Sequence, residues 1–333
     1  MVAVDQRRRG DTPGRATEET PADPGRKNVR RGTLLSRLRR DHPLLLLAVP
    51  GLAILLLFQY IPLLGHVIAF KDYRPYIGIM DSPWIAFDNF DVILNGDPLF
   101  LNALVNTLII SFVQIIFVFP IPIALALLMN SLMSERLKRI VQSILYLPHF
   151  MSWVIVVAIF QHMLGGAGLV NTWLSQVGAE GMSIIGNPDA FIALITAQVN
   201  WKDAGWGTII FLAALSRIDT ELYEASAVDG AGRLRQTWSI TLPGIMPVAV
   251  LLLILKVGDV LTVGFEQLIL QRPAVGPQAA EVLDTYVYVN GIVGGDWGPS
   301  AAVGLVKGLV GIMLVLGANN LAHLFGQPGI YSK

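Results

Sequence analysis

The sequence predicts an all-α, polytopic membrane protein with six transmembrane helices. Three observations carry this. The 333-residue chain is 53% hydrophobic and only 14% charged, with a mean hydropathy of +0.58, whereas a soluble domain carries about 25% charged residues. Its apolar residues gather into runs near the roughly 20 residues that cross a bilayer. Its Lys and Arg residues crowd the connections on one side of those runs.

Residues 1–40 stand apart. "DQRRRGDTPGRATEETPADPGRKNVRRG" is rich in Arg, Pro, Gly and acids and has no apolar periodicity. Such a stretch cannot bury enough surface to offset chain entropy, so a disordered basic cytoplasmic tail is expected. The apolar run from Leu44 starts too deep for a secretory leader and no small-residue cleavage site follows it. It is expected to anchor the chain.

Six runs then qualify as spans, at residues 44–66, 103–130, 143–164, 190–215, 244–264 and 300–322. Pro50, Pro62, Pro120, Pro122, Pro148 and Pro247 fall within them. Spans tolerate proline because neighbouring helices satisfy the freed backbone groups. The expected organisation is a first span and outer loop over 41–100, a five-helix core over 101–325 and a short cytoplasmic tail over 326–333.

The positive-inside rule sets the orientation. Arg26, Lys27, Arg30, Arg31, Arg37, Arg39 and Arg40 precede the first span. Arg136, Lys138 and Arg139 follow the second, and Arg217, Arg233 and Arg235 follow the fourth. The opposite side has Lys71, Arg74 and Arg272. Both termini and the connection around residue 230 are therefore expected in the cytoplasm of a bacterial cell, with the chain in its plasma membrane. The outer connections, residues 70–90 and 271–299, are rich in aromatic residues, Pro, Gly and acids; they suit either a membrane-interface belt or a surface that receives a partner.

The connection "ELYEASAVDGAGRLRQTWSITLP" is unusual for so greasy a chain. Asp219 can cap a helix whose first turn holds Glu221, placing negative charge at the positive end of the helix dipole. Leu222, Tyr223, Ala225, Ala227 and Val228 give it an apolar, small-sided surface, and Asp229–Gly230 breaks it, because glycine accepts positive φ. A second helix is expected from Ala231 to about Thr241, with Pro243 marking entry to the fifth span. The hairpin would protrude and lie parallel to the membrane, with Glu224 offered to a basic partner. A lipid-resting amphipathic helix usually carries Lys, Arg and bulky apolar groups instead.

Position by position, this segment resembles the EAA signature of permeases in binding-protein-dependent ABC importers: Glu224, Ala225, Ser226, Gly230, Ile240, Leu242 and Pro243. Ser226 departs from the commoner alanine but is still small. "YLPHFMSWVI", "WKDAGWGTIIFLAALSRID", "VGFEQ" and "DTYVYVNGI" are similar to the carbohydrate branch, in particular LplB-type oligosaccharide permeases. The resemblance runs from Leu44 to the C-terminus. It implies the type I permease fold, five core helices and one more at the N-terminus. It also implies a helix around Glu224 that couples to ATPase subunits through Glu221, Leu222, Glu224, Ala225, Ser226, Asp229, Gly230 and Pro243. The partners it implies are two ATPase subunits, a second and different permease chain, an extracytoplasmic solute-binding protein and an oligosaccharide.

The residues agree with a transport subunit. There is no G-x-x-x-x-G-K-[ST] to cradle phosphates, so ATP and Mg are expected on the partners. Catalytic and metal-ligating residues are expected to be absent: there is no cysteine, no H-E-x-x-H or G-x-S-x-G, and the five histidines are scattered. Polar groups inside spans are costly and default to functional candidates. Those of the substrate pathway are Asn106 and Gln114 in the second span, Asn200, Trp201, Lys202 and Trp206 in the fourth, and Lys256 and Asp259 in the fifth. Asn200, Trp201, Lys202 and Trp206 pair hydrogen-bonding groups with rings that stack on sugars. An ion pair of Lys202 with Asp203 or Asp259 that merely holds helices together is the competing expectation. Gly304 and Gly308 are expected to pack helices, and Lys307 to snorkel outward. The alternative function is an ion-coupled secondary transporter with no ATPase partner.

Overall fold

The computed structural model describes residues 42–331 apart from Ser183 and Pro328; the tail expected over residues 1–40 lies outside the described residues. The described secondary structure is helical apart from one isolated antiparallel bridge between Lys71 and Trp84. The chain divides into two compact units, residues 1–62 and 63–333. In the first, helix α1 (His42–Leu55) contains Pro50 and continues through a π-helical turn, Leu56–Tyr60. Leu52, Leu56, Leu57 and Phe58 are exposed, as suits a helix solvated by lipid.

The second unit opens with a 3-10 segment, Leu64–Phe70, and a folded loop. Buried Lys71 donates to the carbonyls of Ile79 (2.6 Å) and Met80 (3.0 Å) and lies over the Trp84 ring. Asn89 Nδ2 donates to the Ala69 and Lys71 carbonyls, both at 3.0 Å. Arg74 Nε and Nη2 both donate to Asp72 Oδ2 (3.0 and 2.7 Å), and these hydrogen bonds to the carboxylate raise the pKa of the exposed Arg74. These bonds account for an ordered loop after the first span where sequence alone showed only aromatic and acidic composition.

The expected span at 103–130 is two helices, α2 (Pro98–Phe117) and α3 (Pro120–Asn130). Asp97 caps α2 by accepting from the amides of Leu99 and Phe100. At the junction the Val118 and Phe119 amides both reach the Gln114 carbonyl, so the turn widens just before Pro120, which has no N–H to donate.

The expected third span needs a larger correction. Residues 143–164 do not form one helix. Amphipathic α4 (Glu135–Tyr146) gives way to a 3-10 turn, Leu147–Phe150, built around Pro148. Met151 and Ser152 are extended, and Ser152 Oγ caps α5 (Trp153–Leu164). After the Gly-rich "GGAG", α6 (Leu169–Gln176) follows.

Helix α7 (Pro188–Leu215) spans 28 residues and is the best-buried long element, with Phe191, Ile195, Gln198, Thr208 and Phe211 nearly inaccessible. By length and composition, five helical stretches among the described residues could cross a membrane: Leu46–Phe70, Pro98–Asn130, Trp153–Gln176, Arg233–Gly258 and Trp297–Leu324. The expected span absent from that set is the fourth, α7, long enough but with "QVNWKD" at its centre. Gln198 and Lys202 are buried there and hydrogen-bonded inside the protein, which is how a hydropathy count misses a core helix.

The hairpin helices α8 (Thr220–Val228) and α9 (Arg233–Gln236) come next, then α10 (Leu242–Gly258). The outer segment 271–299 is more structured than its Pro- and Gly-rich sequence suggests. It holds the end of α11 (Phe265–Val275), a short α12 (Pro277–Ala280), α13 (Leu283–Tyr286) and a π-helical turn, Val287–Val293. Gln271, Val275, Ala280, Glu281, Val282, Leu283 and Tyr286 are buried, so much of this segment is core. The last helix, α14 (Trp297–Leu324), covers the sixth expected span.

Three apolar clusters hold these elements. Ile110, Phe191, Ile195, Leu268 and Val282 join α2, α7 and α11; Phe100, Leu261, Tyr286 and Val303 join α2, α13 and α14. Ala126, Phe211, Leu215 and Ile245, flanked by Ile218 and Leu242, join α3, α7 and α10 at the root of the hairpin. A buried amide cluster pins α7 to α11: Gln198 Oε1 accepts from Gln267 (2.7 Å) and Gln271 (2.9 Å), and Gln198 Nε2 donates back to Gln271 (3.1 Å).

Candidate functional site

The EAA-like segment folds as a stapled hairpin. Asp219 Oδ1 accepts from the Glu221 amide at 3.0 Å and caps α8 as its sequence requires. The helix ends in a Schellman motif: the Ala231 amide reaches the Ser226 carbonyl, the Gly230 amide reaches that of Ala227, and Gly230 takes φ +80°. This is the left-handed position that glycine fills without penalty.

Across the turn, Gln236 Nε2 donates to Ser226 Oγ (2.9 Å) and to the Tyr223 carbonyl (3.1 Å), while the Tyr223 and Thr241 hydroxyls lie 3.0 Å apart. Ser226, the departure from the usual alanine, is thus a hydrogen-bonding partner. Gln236 and Thr241 are contributors that sequence reading missed; the small residue at 226 was their only signal. Glu221, Leu222, Glu224, Ala225, Asp229 and Gly230 are all exposed, and Val228 (88%) and Leu234 (77%) add apolar surface. The hairpin therefore presents a small acidic and apolar face that the described residues leave uncovered.

Pro243 stands in the first turn of α10, at the expected entry to the fifth span, yet the helix before it does not stop there. The chain is helical from Arg233 to Gly258. A π-helical turn at Thr237–Thr241, in which the Leu242 amide reaches the Thr237 carbonyl, lets the helix pass a residue with no N–H. The second hairpin helix is thus the end of the span itself. At its root a Cβ on Gly244 would stand 2.7 Å from Ile218 Cδ1, so both arms are packed together.

The mid-span polar residues do not converge on one site. Asn106 Nδ2 donates to the carbonyls of Gln278 (2.7 Å) and Glu281 (2.9 Å), holding the segment after α11. Gln114 is buried and accepts from Lys256 Nζ at 3.3 Å. Buried Lys202 donates to the His149 carbonyl at 2.7 Å and lies 3.9 Å from Asp203, which in turn contacts His149 Nδ1 at 2.9 Å. Of the two partners expected for Lys202, the neighbour is Asp203. Trp206 stacks on the His149 ring, with centroids 4.5 Å apart and planes at 6°. Trp201 meets Phe160 edge-on, and Asn200 Nδ2 faces the Phe117 carbonyl. Lys202 and Trp206, one turn apart on one face of α7, thus both meet His149, whereas Asn200 and Trp201 point toward Phe117 and Phe160.

Asp259 follows the last turn of α10 (φ −90°, ψ 11°), three residues after Lys256, with its amide still bonded to the Leu255 carbonyl, and is exposed. It lines a cavity of about 550 Å³ between α10 and α14 together with Thr262, Asp284, Lys307 and Gly308. Lys307 does not snorkel; it is ion-paired with Asp284 in that cavity. Gly304 and Gly308 open the cavity and have nothing within 4 Å of an added Cβ. Helix packing falls to Gly258 and Gly311 instead: a Cβ on Gly258 would collide with Val315, and one on Gly311 would sit 3.2 Å from the Gly258 carbonyl.

Comparison with known proteins agrees with this architecture. Residues 117–325 match the family described as binding-protein-dependent transport system inner membrane component. The chain is 45% identical over 306 residues to the polygalacturonan/rhamnogalacturonan transport system permease protein YteP of Bacillus subtilis (strain 168), covering 92% of this chain and 95% of the relative. It is 44% identical to protein LplB of the same organism, covering 89% of this chain and 93% of that one. A chain of a bacterial alginate ABC transporter, solved in complex with an alginate pentasaccharide-bound periplasmic protein, superposes with a TM-score of 0.80 at 35% identity, covering 89% of this chain and 99% of that chain. Nothing in these relatives favours an ion-coupled carrier. The chain belongs to the binding-protein-dependent transport system inner membrane component family, as a multi-pass permease subunit of an ABC importer and not an enzyme.

Proposed function

We propose that this permease forms the translocation pathway for oligosaccharides and takes its energy from ATPase subunits that dock on the hairpin 219–241. One observation carries the reading: a rigid, stapled hairpin with an exposed Glu224 face whose second arm is continuous with a span. Displacement of the hairpin is then displacement of α10, and rigid-body motion of this kind drives alternating access. ATP and Mg reside on two ATPase subunits. A second, different permease chain completes the pathway, and a solute-binding protein delivers substrate from outside. The Lys and Arg distribution supports cytoplasmic termini and a cytoplasmic hairpin. The core over 101–325 forms the pathway, with 41–100 as its N-terminal addition.

The relatives named for polygalacturonan/rhamnogalacturonan and alginate support a glycan substrate. Within the pathway, the partly exposed Trp201 (41%) and Trp206 (45%) and the cavity-lining Asp259 have surface to offer a sugar. Asn106, Gln114, Lys202 and Lys256 act by holding helices, because their polar atoms already have partners. The test is uptake of labelled oligosaccharides into proteoliposomes holding the complete complex. Uptake that requires both ATP and the solute-binding protein is expected. Uptake by the chain alone, driven by an ion gradient, contradicts the proposal.

A further inference from the structure

Helix α4 has surface that the transport reading does not use. Its packed side is formed by Val141, Gln142, Leu145 and Tyr146, all at least partly covered, and it crosses α7 so closely that a Cβ on Gly205 would collide with the Leu145 carbonyl. A different side carries Met133 just before the helix, then Leu137, Ile140 and Ile144, and Leu147 just after it. At steps of three and four residues these form one stripe, and they are 90%, 47%, 57%, 66% and 61% exposed. The helix is not among the stretches apolar enough to span.

Arg136 and Arg139, both exposed and one turn apart, border the stripe along one edge; half-buried Lys138 lies beyond the other. The only acid in the helix is Glu135, in its first turn. An apolar stripe bordered by guanidinium groups fits the boundary between acyl chains and phosphate headgroups, where apolar burial and attraction to anionic lipid act together. Water would leave the stripe bare, and the bilayer interior would strand the arginines.

We propose that α4 is an interfacial helix that binds an anionic phospholipid surface, with Leu137, Ile140 and Ile144 in the acyl boundary and Arg136 and Arg139 on phosphate. The bound lipid steadies a working junction, because the helix runs directly into the turn whose His149 carbonyl holds Lys202.

The test uses the complete importer in nanodiscs containing photoactivatable phosphatidylglycerol or phosphatidylcholine, with labelled residues mapped by mass spectrometry. Phosphatidylglycerol should label residues 133–147 in preference to phosphatidylcholine. Arg136→Gln with Arg139→Gln should cut that preference by about an order of magnitude, with melting temperature and subunit composition unchanged. If the double variant fails to assemble, the wild-type complex decides through salt. The preference should collapse between about 0.01 M and about 1 M salt, as the screening length falls from about 30 Å to about 3 Å. Equal labelling by the two lipids, a preference indifferent to salt, or a stripe that crosslinks to an ATPase or permease subunit instead of lipid would each overturn the proposal. None of these outcomes bears on whether ATP drives uptake.

Discussion

Gly230 sits at φ +80°, where any other L-residue is strained, by about 1–2 kcal/mol. Nothing lies within 4 Å of a Cβ placed there, so the effect of a substitution is conformational and not steric. Gly230→Val should leave the spans folded, with a near-normal melting temperature in detergent, while ligand-stimulated ATPase falls at least ten-fold. Ser226→Ala removes one of the two acceptors of Gln236 Nε2 and leaves the Tyr223 carbonyl, a loss of about 1 kcal/mol that leaves the helix dock intact; transport within about two-fold of wild type is expected. A Ser226→Leu variant should block ATPase association, measured by co-purification. In the buried amide cluster, Gln198→Leu strips Gln267 and Gln271 of a shared partner. Each buried group left unmet costs about 1–3 kcal/mol, and the melting temperature should report the loss. The cap at Asp219 and the turn at Gly230 were legible in the sequence because both are local rules. The amide cluster was not, since its members are 69 to 73 residues apart and only the fold brings them together.

At the level of elements, the closest approach between α10 and α14 is made by glycines that sequence spacing did not pick out. Gly304 and Gly308 have the familiar four-residue spacing, yet they face open cavity, while Gly258 and Gly311 carry the contact. Gly258→Val should therefore destabilise by about 1–3 kcal/mol through overpacking, whereas Gly304→Ala should shift the melting temperature little; thermal unfolding of the two purified variants separates them. The same difference between local and tertiary information explains the element boundaries. Hydropathy located residues 44–66 and 300–322 well, because those runs are uniformly apolar. It merged α4 and α5 across Pro148, since an apolar run does not reveal a break whose backbone groups are met by neighbours. Segment 271–299 looked like a loop because residues such as Gly276, Pro277, Gly294 and Gly295 punctuate short helical pieces, and the groups that hold these pieces lie on α2.

Across the permease core, the hairpin and the Asp259 cavity stand at the two ends of the helix that contains α10. The hairpin at residues 219–241 is packed through Ile218 and Leu242 into the cluster of α3, α7 and α10, and α10 ends at the Asp259 cavity. The hairpin was legible from its motif. The candidate pathway residues were legible only as a list of costly polar groups, because which of them are spent on structure depends on partners that sequence does not display. Lys202 and Asn106 proved to be bonded to backbone carbonyls, while Trp201 and Trp206 keep exposed ring surface. The most direct measurement is ligand-stimulated ATPase and ATPase-subunit co-purification for the reconstituted complex, with and without residues 222–230. The account predicts that the deletion releases the ATPase subunits and abolishes stimulation while the permease still folds and inserts. A deleted complex that retained its ATPase subunits and its ligand-stimulated turnover would contradict it.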